Sequence, residues 1–183
     1  MKITKILLGL LLMVFVLAIS GCETTDPASS NKNDPKPPVN NSTQTVEMMD
    51  IRVYYPNSDA TRLVAEKKKV KTTAATKYRA AVEALLEGPS DSKLTKIFPK
   101  DAKVLGVTVS GDTARVDFNR AILDNFNGGS TGEEMLVGSV VNTLTEFPEI
   151  KKVQFVVEGR RIDSIKGHMD TSKPLTRMEE LLK

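Results

Sequence analysis

The chain has one cysteine, Cys22, and it closes an apolar stretch near the N-terminus, so no intramolecular disulfide can staple whatever folds after it. Stability has to come from an apolar core. Lys2 and Lys5 precede the run Ile6 to Ile19, and the small residues Ser20 and Gly21 lead into Cys22, which is the layout of a secretory signal. The run is shorter than the roughly 18 residues that a permanent spanning helix needs. From Glu23 to about Val46 the sequence is mostly Asp, Asn, Ser, Thr, Lys and Pro, too poor in apolar side chains to offset the entropy of ordering. Such a tether has an end-to-end distance of about 25 to 30 Å as a flexible coil, and more where Pro35, Pro37 and Pro38 stiffen it. The expected organisation is a signal over 1–21, a linker over 22–46 and one folded domain over 47–183.

The tetrapeptide Ile19-Ser20-Gly21-Cys22 resembles the bacterial lipoprotein signal, with Ile19 where Leu is usual. The resemblance implies cleavage before Cys22, a diacylglyceryl group on its thiol and further acylation of the palmitate kind. The domain would then be held on the extracytoplasmic face of a cell membrane. Each buried methylene contributes ~0.8 kcal/mol, so two or three acyl chains make a stable anchor where one is reversible.

The net charge is +3, and beyond Glu47 acidic and basic residues nearly balance, which gives no footprint for nucleic acid. The one basic cluster is Lys67, Lys68, Lys69 and Lys71. Such a run is a solvated strand face by default, or a contact for cell-wall glycan or another anionic polymer.

Ile51, Val53 and Tyr55 alternate with Arg52 and Tyr54, which predicts a strand ended by Pro56, and Leu63 to Val70 predicts an antiparallel partner. Ala74, Tyr78, Ala81, Val82, Leu85 and Leu86 recur at helical spacing before the breaker Gly88-Pro89. Lys103 to Val109 and Thr113 to Phe118 form a hairpin about Ser110-Gly111-Asp112. After an Asn- and Gly-rich loop, Ser130 and Thr131 each have Glu three residues on, two overlapping capping boxes for a helix burying Leu136, Val140, Thr143, Leu144 and Phe147. Val153 to Val157 is a further strand, Arg160 to Thr171 is irregular or a short edge strand, and Pro174 to Leu182 reads as a closing helix with Leu175, Met178 and Leu182 inward. The fold class is α+β, a small mixed or antiparallel sheet with helices packed on one face.

Chemistry-bearing patterns are thin. His168 is the only histidine, and with Cys22 lipidated no Cys or His set remains for zinc, so neither metal nor cofactor is expected. His168 beside Asp170 would make a base and its orienting carboxylate; the plainer reading is a loop that Gly167, His168 and Asp170 order by hydrogen bonds. Gly128-Gly129-Ser130-Thr131-Gly132 before a helix invites a phosphate cradle. Glu133 and Glu134 in the first turn would repel a phosphate, and no Walker lysine is present.

The series Val53-Tyr54-Tyr55-Pro56, Leu63-Val64, Ala84-Leu85-Leu86-Glu87-Gly88-Pro89, Ala114-Arg115-Val116-Asp117-Phe118 and Val140 through Pro148 into Val153-Gln154-Phe155 resembles the GerMN domain. Gly167-His168 and Asp170 before Pro174 resemble its closing segment, so the likeness runs from Asp50 to Arg177. The resemblance implies a bacterial envelope domain of sporulation and spore germination, similar in fold to ring-building motifs. It also implies no catalytic activity, and a partner that is another envelope protein or a second copy. The family's founding sporulation protein carries two such domains in tandem, and this chain carries one.

Overall fold

Burial of the second half of its first strand anchors the first hairpin. Ile51, Val53 and Tyr55 are buried along β1 (Glu47–Pro56), which pairs antiparallel with β2 (Leu63–Thr72) over ten residue pairs. The computed structural model describes residues 45–183; the signal, Cys22 and nearly all of the tether lie outside the described residues. Asn57 organises the connecting turn, its side-chain carbonyl accepting the N–H groups of Thr61 and Arg62 at 2.9 and 3.2 Å.

Helix α1 (Lys77–Glu87) follows, burying Ala81, Val82, Ala84 and Leu85, and ends where Gly88 takes a φ of +100°. Next come β3 (Val104–Ser110) and β4 (Thr113–Phe118), joined through Gly111 at φ +59°. Positive φ at Gly111 but not at Asp112 marks the II′ turn, which matches strand twist. A short helix α2 (Ala121–Asp124) and the long α3 (Ser130–Leu144) then carry the chain to β5 (Lys152–Val157), which runs parallel to β4. Two short strands, β6 (Arg160–Arg161) and β7 (Leu175–Thr176), pair antiparallel with the two ends of β5.

The α+β expectation holds, with the strands divided between two sheets: the β1–β2 hairpin, and a five-stranded sheet ordered β3-β4-β5-β6 with β7 also on β5. Helix α3 touches β1, β2, β5 and α1. That position explains why α3 is buried without interruption from Met135 to Leu144, on more than the stripe the sequence suggested. Phe118 and Phe155 of the sheet's inner face stack with Phe98 from the segment before β3, with successive centroids 6.4 and 6.2 Å apart. Each large apolar side chain so buried contributes about 1.5 to 3 kcal/mol.

Three local expectations are corrected. Neither capping box forms at α3: Gly129 is the N-cap, and the Glu133 side chain turns away from the helix start to bond another segment. Pro174 to Leu182 is no helix but β7 followed by a 3₁₀ turn at Glu179–Leu182, with Leu181 rather than Leu182 buried. Leu175 is drawn into pairing with Val153, which straightens the backbone and breaks the helical spacing. The Asn- and Gly-rich loop contains α2, whose Ile122 is fully buried.

Candidate functional site

Strand period splits the basic run of β2. Lys67, Lys69 and Lys71 project from one exposed face, opposite Arg52, Asp50 and Met48 of β1. Lys69 lies 3.9 Å from the Asp50 carboxylate. Lys68 points the other way, where its ammonium donates to the Gly88 carbonyl, sits 5.4 Å from the Tyr55 ring centroid and lies 3.8 Å from Glu66. Burial would raise the Glu66 pKa, but backbone N–H donors from Ser90 and Asp91 outweigh it and hold the carboxyl below its ordinary range. Lys68 therefore ties β2 to the end of α1, and only three of the four lysines form an open cationic face.

Beside that face lies a groove of about 400 Å³ lined by Met49, Arg52, Lys67, Glu146 and Phe147 among others. Two of the lining residues, Arg52 and Glu146, also belong to a polar network that joins three distant parts of the chain. Tyr54 Oη donates to Glu146 at 2.6 Å, and Arg177 donates to the same Glu146 oxygen at 2.8 Å and to Tyr54 Oη at 2.9 Å. Arg52 reaches the other Glu146 oxygen at 3.3 Å. Burial works to raise the Glu146 pKa, yet the hydrogen bonds from Tyr54 and Arg177 and their positive surroundings bring it below the ordinary carboxylate value. Burial and the Glu146 contact raise the Tyr54 pKa, so the phenol stays a donor. Sequence reading missed this network, whose members have no local spacing to betray them.

The segment Gly167, His168 and Asp170 is ordered from within the core. Glu133 is fully buried, and its carboxylate accepts the backbone N–H groups of Ile165 at 2.8 Å, Lys166 at 3.0 Å and His168 at 2.9 Å. Gly167 supplies a φ of +87° and donates to Ser164 Oγ at 2.6 Å. Asp170 accepts from the Ser172 N–H at 2.9 Å, which with the Ser172 hydroxyl lowers its pKa. No hydrogen bond joins His168 to Asp170 among the described residues, and the imidazole is exposed. The geometry is that of an ordered loop, the plainer of the two sequence readings. Among the described residues no cluster of three or more His, Cys, Asp or Glu side chains is placed to hold a metal, and no helix is long and apolar enough to cross a membrane. Lipidation of Cys22 falls outside the described residues.

Residues 52–163, more than half of the chain and running from within β1 past β6, match the Germane family, described as sporulation and spore germination. The chain belongs to the Germane family. The same fold recurs in solved structures. The first GerMN domain of the sporulation protein GerM from Bacillus subtilis is 25% identical, with 70% of this chain and 98% of that one covered and a TM-score of 0.58. A candidate lipoprotein from Clostridium perfringens is 26% identical over 70% of this chain and 87% of its own, with a TM-score of 0.51. The tandem GerMN domains of the same Bacillus protein are 22% identical with a TM-score of 0.53 and share the fold; 80% of this Germane chain aligns there but only 50% of the tandem structure is covered. Among curated proteins none matches the chain.

Proposed function

We propose that this Germane protein is a lipid-anchored envelope lipoprotein, non-catalytic, whose domain is a protein-interaction and assembly module in sporulation or spore germination. The observation that carries the reading is the family match over 52–163, supported by the fold shared with a sporulation protein and with a candidate lipoprotein. The Ile19-Ser20-Gly21-Cys22 signal supplies the anchor, and the tether lets the domain stand off the membrane on its extracytoplasmic face. The partner is another envelope protein or a second copy. Among the described residues His168 is exposed and makes no hydrogen bond to Asp170, which accepts from the Ser172 N–H instead, in keeping with a non-catalytic loop.

The test is genetic and biochemical. Mass spectrometry of the protein from membranes is expected to find a diacylglyceryl group on Cys22, and deletion is expected to lower spore yield or germination. An unmodified Cys22 overturns the lipid anchor, and normal spores in a deletion strain overturn the sporulation role. His168→Ala is expected to keep full function. A second reading, binding of cell-wall glycan or anionic polymer, is favoured by the open face of Lys67, Lys69 and Lys71 beside Arg52. Reversing those three lysines to Glu should abolish retention on purified wall if that reading holds, and unchanged retention sinks it.

A further inference from the structure

The β1–β2 hairpin is packed at one end and open at the other. β1 is buried from Val53 to Pro56, whereas Glu47, Met48 and Asp50 are exposed. Antiparallel pairing sets Met48 opposite Lys71, Asp50 opposite Lys69 and Arg52 opposite Lys67, so these side chains share the solvent face of the hairpin. Arg52 and the three lysines stand there against the single carboxylate of Asp50, and Arg52 also meets Glu146 at the edge of the groove. Lys69 and Asp50 keep 74% and 69% of their side chains exposed, an ion pair too wet to neutralise the face. Val46 and Met48, 54% and 63% exposed, are the most open large apolar side chains among the described residues. Both lie at the end of the hairpin where the chain arrives from residues 23–46.

We propose that this face docks on the anionic surface of the membrane that holds the chain. Lys67, Lys69, Lys71 and Arg52 lie among the headgroups, and Met48 and Val46 enter the apolar boundary beneath them. Binding at a bilayer interface sums the apolar area buried and the attraction to anionic lipid, and this face offers both. A dissolved polyanion would match the lysines and leave Met48 and Val46 nothing apolar to enter, which favours a bilayer over a wall polymer. The point where the chain enters the domain favours it again. Residues 23–46 lead from Cys22 directly into β1, so the open end of the hairpin is the part of the domain held nearest the lipid, within a reach of about 25 to 30 Å. At that range docking is intramolecular, and a contact too weak to recruit a free protein is enough to be occupied. Long lysine stems let the ammonium groups stay among the headgroups while Met48 sits deeper. The docking rests on the lipid-anchor reading and adds to it the face that the domain turns to the membrane.

The test uses the full-length lipidated protein in vesicles of phosphatidylcholine, alone or mixed with phosphatidylglycerol, with a polarity-sensitive dye on the thiol of the Met48→Cys variant. Lipid blocks Cys22, so the introduced thiol is the only one the dye can reach. A blue shift is expected on the anionic vesicles and not on the neutral ones. Salt at about 1 M, where the Debye length is about 3 Å, should reverse it. Lys67→Glu with Lys69→Glu and Lys71→Glu should lower the ratio of docked to free domain at least about tenfold. All three side chains are exposed, so circular dichroism should stay that of the wild type. An unshifted dye on anionic vesicles, a shift that the triple reversal leaves intact, or a shift given by purified wall polymer and not by vesicles overturns the docking and leaves the anchor standing. A wild type whose Cys22 takes the dye overturns the anchor, and the docking with it.

Discussion

Strand β2 turns Lys67, Lys69 and Lys71 to solvent, whereas β3 carries no charge from Val104 to Ser110, and the two sheets differ as much inside as at their edges. The hairpin is tied down by polar contacts from far along the chain. Tyr54 meets Glu146 and Arg177, its backbone N–H donates to Thr143 Oγ1 at 3.1 Å, and Lys68 grips Gly88. The larger sheet is held by its own strands and by the Phe98, Phe118, Phe155 stack. A two-stranded ribbon has too little apolar area to stand alone, so it needs partners outside itself, while a five-stranded sheet with a packed face does not. Helix α3 serves both, which makes cooperativity between the two regions the quantity to test.

The largest effect is expected from Phe118→Ala, which opens the centre of the stack and should cost about 3 to 5 kcal/mol in denaturant unfolding. If hydrogen exchange then rises equally in β1 and in β4, the two regions unfold as one and the comparison fails as an energetic statement. Glu133→Gln comes next. An amide NH₂ would replace the oxygen that accepts from His168, leaving donor against donor, at about 2 kcal/mol. Faster exchange should be confined to residues near 165–168, and spread into the hairpin would show a wider role.

Arg177→Ala removes a donor to Glu146 and Tyr54 and should cost about 1 kcal/mol, read as faster exchange in β1 with the larger sheet unchanged. The smallest effect is electrostatic. Hydrogen bonds from Lys77 and then Tyr78 lower the Glu149 pKa to about 2. A depressed folded pKa contributes stability that is fully present above the ordinary value of 4.5 and is lost as pH falls from there through about 2. Lys77→Met should bring the Glu149 carboxyl resonance back toward ordinary titration in NMR. A titration that stays low would assign the shift to Tyr78 instead.

Elements with a local signal were legible. The β3–β4 hairpin announced itself through Gly111, the end of α1 through Gly88-Pro89, and β5 through alternating Val, Phe and Val. Where one pattern served two structures, the reading failed. Leu175, Met178 and Leu182 satisfy helical spacing, yet nine residues are too few to decide when β5 offers Leu175 a strand partner. Ser130 with Glu133 fits a capping box, but the buried loop amides of Ile165, Lys166 and His168 hold that carboxylate more completely than the helix start would. The lysine run was visible as composition, and only the pleat showed that Lys68 is spent inside the fold.

The resemblance to a leader and tether, the single cysteine that leaves no intramolecular disulfide, the strongly periodic strand and helix segments and the family resemblance could all be read from neighbours a few residues apart. The division into two sheets, the burial of α3, the clasp of Glu133 on the 165–168 loop and the meeting of Tyr54, Glu146 and Arg177 emerged in three dimensions alone. Tyr54 and Arg177 stand 123 residues apart along the chain. Contacts at that separation are set by how the packed elements close on one another, and no local pattern of residues encodes them.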